Sequence, residues 1–204
     1  MGELYLNIEQ IKILGRPEAL TQIIMDIDRR MQDMANATED IKAIMHKYNG
    51  GTMGLQYERA CTAVTELSTQ VFEASETLND VQRQVIVFEQ RVHDYEEDGQ
   101  NAPAPSRHNV RRVQVEVNTA LVQLNTQDMS FVSGALYNYL TNMSEECRKL
   151  CMNRDSIGEI WQDPQFKRFS EYIDEICLVI SRGCRELNSY RNHLNVQIRN
   201  LESN

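Results

Sequence analysis

No apolar run in this chain comes near the roughly 20 residues needed to cross a bilayer, and its opening "MGELYLNIEQ" lacks a basic region followed by a hydrophobic stretch. The sequence therefore predicts neither a membrane span nor a cleavable signal, and a chain that is cytoplasmic as synthesised. Leu6 stands where an N-myristoylation signal needs Ser or Thr, which removes that anchor too. Positive charge is also scarce: 21 Lys and Arg face 30 Asp and Glu, for a net charge of -9. The whole deficit falls in residues 1–105, where acidic side chains outnumber basic ones two to one, whereas residues 106–204 are balanced. A phosphate backbone is gripped by clustered Lys and Arg, so nucleic acid is not an expected partner.

Catalytic signatures are missing as well. The glycine-rich "NGGTMG" has no Lys-Ser/Thr of a phosphate-binding loop, G-x-S-x-G does not occur, and His46, His93, His108 and His193 show none of the E-x-x-H spacing that holds di-iron in helical bundles. No enzymatic activity and no cofactor are expected. The five cysteines form no C-x-x-C pair, as in a cytosolic protein with reduced thiols. Cys147 and Cys151 lie four apart, on one helix face, and with Cys177 from the next helix they have the makings of a thiolate metal site. Cys is more often a small apolar core residue, and that is the preferred reading, with no metal expected.

What the chain does contain is the same plan twice. The segment "DGQNAPAPSRHN" has two prolines, a glycine and no hydrophobic period, and it divides a first half (1–98) from a second (110–204) as a linker (99–109). Similar signals recur at an offset of about 109 to 113 residues, the mark of an internal duplication. In the first half Leu20, Ile24, Ile27, Met31, Met34, Thr38, Ile41, Met45 and Tyr48 alternate steps of four and three, a helix with a coiled-coil-like seam that starts at Pro17 and ends at the glycines after Tyr48. A second helix runs from Tyr57 through Cys61, Leu67, Leu78 and Val85 to Tyr95 and stops near Gly99. In the second half Met129 to Ile157 repeats the seam behind an Asn125 or Thr126 cap, and Phe169 to Leu201 gives the fourth helix, with Asp163 as N-cap and Pro164 as its first residue. Gly183 weakens that helix by about 1 kcal/mol relative to Ala and suggests close approach of a neighbour.

Short turns force the helices of each half to fold back on one another. The expected fold is all-α: two tandem helix-turn-helix hairpins that form an antiparallel four-helix bundle, with a homodimer of hairpins as the alternative geometry. Ahead of each hairpin lies an alternating segment, "ELYLNIEQIKIL" and "RVQVEVNTALVQL", which reads as a short strand. The two could pair as a small sheet at one end of the bundle.

At the corners the chain reads Tyr48-Asn49-Gly50 and Trp161-Gln162-Asp163, the latter followed by Pro164, with an aromatic further on in each case, Tyr57 and Phe169. This resembles the W-x-G corner of the WXG family, the early-secreted-antigen-like helical hairpins of bacterial type VII secretion. The resemblance spans two copies, roughly 11–98 and 120–203. The first copy has Tyr for Trp and the second Asp for Gly, where Asp163 before Pro164 caps the next helix by another route. The Y-x-x-x-D/E that follows the second helix in secreted members or their partners is matched at neither Tyr95 nor Tyr190.

The resemblance implies a non-enzymatic protein that meets other proteins: a secretion ATPase, an effector or another helical hairpin. It also implies a role as cargo, targeting partner or chaperone-like companion, with secretion that uses no cleavable signal. The alternative is a cytosolic scaffolding bundle unrelated to secretion. Trp161 divides the two: its indole either anchors a partner at the corner or plugs the end of the core, and the plug is the preferred reading.

Overall fold

A computed structural model describes residues 4, 6–7, 11–48, 54–106, 109–117 and 125–203. Four helices account for most of them: α1 (Pro17–Lys47), α2 (Gly54–Glu96), α3 (Thr126–Ile160) and α4 (Pro164–Glu202). The starts follow the expected chemistry. Pro17 and Pro164 occupy first-turn positions, Asn125 accepts the amide of Asp128, and Asp163 accepts those of Gln165 and Phe166. Tyr48 and Trp161 are the C-cap residues of α1 and α3, so the two corner aromatics hold equivalent places in the two halves.

Helix α1 packs on α2 and α3, and α4 packs on α3 and α2, each pair antiparallel. The direction follows from cross-helix contacts: the hydroxyls of Thr38 and Tyr139 lie 3.0 Å apart while Arg30 pairs with Glu146, and Tyr57 meets Tyr190 while Gly183 meets Leu67. The two hairpins thus lie face to face and head to tail, their corners at opposite ends of a four-helix bundle. The predicted seams fill the core: Leu20, Ile27, Met31 and Met34 from α1, Val64, Leu67 and Val81 from α2, Leu136, Met143 and Leu150 from α3, and Ile173, Leu187 and Leu194 from α4 are all at most 1% exposed. One chain buries all four stripes, as the tandem arrangement requires. Two seam positions depart from the expectation. Tyr95 is 89% exposed, because the last turn of α2 buries His93 instead, and Leu201 is half exposed at the end of α4.

The strand reading is corrected. Among the described residues there is no strand, only a single antiparallel bridge between Ile13 and Trp161. The described parts of the segments before α1 and α3 do not pair with each other, since head-to-tail hairpins put the two helix starts at opposite ends of helices about 46 Å long, at 1.5 Å for each of the 31 residues of α1. The described part of the second segment instead continues the linker as an extended strap that runs back along α2. Its amides are met by side chains of that helix: Ala102 by Gln90, Ser106 by Gln82, Val113 by Ser68 and Val115 by Thr65. Val110, Val113 and Val115 are buried beneath it, which accounts for the buried Ser68 and Gln82 on a helix otherwise lined with apolar residues. The described part of the crossover from α2 to α3 is therefore part of the packed structure. Parts of both alternating segments (3, 5, 8–10 and 118–124) lie outside the described residues.

Candidate functional site

The second corner is built around Asp163. Its Oδ1 accepts the amides of Gln165 (2.7 Å) and Phe166 (3.3 Å), which caps α4, and its Oδ2 accepts the indole Nε1–H of Trp161 (2.7 Å) and the amide of Lys12 (2.8 Å). One carboxylate thus serves four N–H donors from three parts of the chain. Trp161 is completely buried, its ring centroid 5.8 Å from that of Phe169 and 6.1 Å from that of Phe166. The indole has both an apolar lining and a partner for its one donor, as a buried tryptophan needs.

The N-terminal segment closes this corner from outside. Leu14 N–H donates to Ile160 O at 2.6 Å, Gln162 N–H to Lys12 O, and the side-chain amide of Gln165 clasps the backbone of Asn7 through both its oxygen and its nitrogen. Gln162 and Pro164 remain exposed at the rim. Sequence reasoning singled out Trp161, Asp163 and Phe169 but missed this covering segment, whose attachment runs through backbone groups about 150 residues away. Alternation at Leu6, Ile11 and Ile13 was the available signal of one-sided burial.

No family model, curated protein or solved structure matches this chain. The site is thus defined by its geometry.

The first corner is more open. Tyr48 is half-buried; its ring lies 5.1 Å from that of Phe131 at the start of α3, with Lys47 Nζ 5.2 Å from its centroid. Tyr57 is buried, donates its hydroxyl to Met45 O at 3.2 Å and meets Tyr190, and burial pushes its pKa up. Asn49 and Gly50 lie outside the described residues. Beside Tyr48 an apolar groove of about 540 Å³ runs between α1 and α3, lined by Ile41, Ile44, Phe131, Gly134, Ala135 and Tyr139. The structure places the described residues of the two corners at opposite ends of the bundle.

The thiols singled out in the second half do converge: Cys151 and Cys177 lie with their sulfurs 3.9 Å apart, and the Cys177 thiol points at the Cys147 carbonyl. Among the described residues no group of three or more His, Cys, Asp or Glu has the arrangement to hold a metal, nor is any helix long and apolar enough to cross a membrane.

A polar cluster that sequence reasoning missed joins α2 to the strap. His93 is buried, with Nδ1 2.8 Å from Asp98 Oδ2 and Nε2 3.6–3.7 Å from Glu89 and Glu18. The Asp98 hydrogen bond, with the nearby carboxylate charges, raises the His93 pKa against the opposing effect of desolvation. The Gln100 amide and His93 lower that of Asp98. A histidine whose pKa is raised on folding stabilises fully below its unfolded value of about 6.5 and loses that contribution as pH rises through the folded value. Asp98 contributes above its unfolded value and loses the contribution as pH falls through its depressed one. We expect the melting temperature to fall as pH rises above about 6.5, and His93→Gln to flatten that slope; an unchanged slope in the variant would remove His93 from the account.

Proposed function

We propose that the protein is a non-enzymatic helical-bundle module that acts through protein contacts and is associated with type VII secretion, as a cargo, a targeting partner or a chaperone-like companion of a larger effector. The observation that carries this reading is the head-to-tail packing of two hairpins with aromatic C-caps at equivalent corners. Two separate hairpins would need to dimerise to bury their seams, and here one chain does so. The groove beside Tyr48, with Phe131 half exposed in it, offers apolar surface of the kind a protein partner covers, and Gln162 and Pro164 form the exposed rim of the other corner.

A second reading, a cytosolic scaffolding bundle unrelated to secretion, is favoured by the burial of Trp161. Its ring has no exposed surface and its donor is already used by Asp163, which fits a plug better than an anchor. Fractionation of the producing cell separates the readings. The secretion reading predicts protein outside the cell, or bound to a secreted effector, that is lost when the secretion ATPase is inactivated. Retention inside with no change on inactivation and no effector bound would leave the scaffold.

A further inference from the structure

We propose that Cys151 and Cys177 are a modification site: a thiol pair that closes to an intramolecular disulfide and ties α3 to α4. The sulfurs lie 3.9 Å apart across the seam of the two helices, and closure trades the weak contacts of Cys177 Sγ with Cys147, including its carbonyl at 3.6 Å, for a covalent bond. A disulfide needs about 2.05 Å, so closure draws the two sulfurs further together. Both residues are half-buried and within reach of a small oxidant, whereas Cys61 and Cys147 are buried. The ring closed in this way spans residues 151–177 and contains Trp161, Asp163 and Phe169.

Around the pair, Arg154 on α3 bonds Asp174 on α4 and Asp155 beside it, so the two helices are already held in register at this level. Burial, then the neighbouring Cys177, pushes the Cys151 thiol up to about 11, with Arg154 opposing; Cys177 is raised as well, through its contact with Cys147 and through burial. Closure is accordingly slow at neutral pH and speeds up as pH rises, since the thiolate is the nucleophile.

The co-reactant is a low-molecular-weight disulfide such as oxidised glutathione. The Cys151 thiol gives up its proton, and its thiolate attacks one glutathione sulfur, forming a mixed disulfide and releasing one glutathione thiolate. Cys177, deprotonated in turn, attacks the Cys151 sulfur and releases the second. Two protein thiols are oxidised, one glutathione disulfide is reduced to two thiols, and the two protons end on the glutathiones.

The full chain incubated with excess oxidised glutathione at about pH 9 is expected to lose two hydrogens in mass, to yield a 151–177 linked peptide without reductant, and to melt several degrees higher. Cys151→Ser and Cys177→Ser each abolish the link. Lasting glutathione adducts on Cys151 or Cys177, a link mapped to any other pair, or free thiols at both positions while the half-buried Cys184 takes up glutathione would overturn the proposal, as would a complete lack of reaction.

Discussion

Trp161→Ala is expected to lower the unfolding free energy by about 3–5 kcal/mol, the range for removing a large buried aromatic. The ring is wholly enclosed, touches Phe166 and Phe169, and sits where the last residue of α3 turns towards α4. Alanine would leave a cavity that the corner cannot collapse into, because the Ile13 bridge and the Asp163 bonds hold its walls. Domains have total stabilities of about 5–15 kcal/mol, so this one change removes a large share. Asp163→Ala should weaken the protein by about 2–4 kcal/mol. The lost N-cap accounts for roughly 0.5–2 of that, and an indole donor left buried without a partner for roughly 1–3. Urea titrations followed by circular dichroism measure both. A midpoint unchanged in Trp161→Ala would mean that the ring does not plug the bundle. If the variant captures a partner as well as the parent does at a temperature where both are folded, the indole has no part in recognition.

The second large effect is at the crossing of α2 and α4. A Cβ placed at Gly183 would come 2.6 Å from both Cγ and Cδ2 of Leu67, which is itself buried. Gly183→Ala gains about 1 kcal/mol of helix propensity but meets an overpacking penalty of about 1–3 kcal/mol. The clash involves the branch point of a buried leucine, not the tip of a flexible chain, so the penalty wins. We expect a net loss of up to about 2 kcal/mol, larger for Gly183→Val. Leu67→Ala alone should lose about 2–5 kcal/mol to its cavity. The double variant should lose less than the sum, by about 1–2 kcal/mol, because the new methyl occupies the vacated space. Gly158 provides the contrast: its clash is with the far end of the half-buried Phe166 ring, 2.7 Å to Cζ, which can tilt away, so Gly158→Ala should be near neutral. Strict additivity at 67 and 183 would refute the contact.

The helices were legible in the sequence because their causes are local. The three-and-four spacing from Leu20 to Met45, the prolines at 17 and 164, and the caps at Asn125 and Asp163 each act within a turn or two, and the structure has them where the pattern put them. The extended segments were not, for a physical reason. Alternation at Val113 and Val115 reports that one side of an extended chain is covered; it does not say whether a strand or a helix covers it. Here α2 does, through Ser68 and Thr65, and a polar side chain that meets a distant amide leaves no mark in spacing. His93 carried a partial signal, Glu89 four residues before it and Asp98 just past the helix end, but Glu18 arrives from α1. At the site, the correspondence of Tyr48 with Trp161 was legible, since both end a helix. Their different fates were not, because the enclosure of Trp161 depends on the chain around Lys12 and Leu14.

The central claim is that the two hairpins of one chain pack head to tail. It is tested most directly by the distance between the corners, measured by pulsed electron spin resonance with labels on non-natural residues at Leu55 and Gln162, both exposed. The account predicts about 50 Å, the length of a helix of some 31–35 residues at 1.5 Å each, with labels at Tyr95 and Gln162 much closer. A Leu55–Gln162 distance near 20 Å, the width of a bundle whose corners share one end, would contradict it.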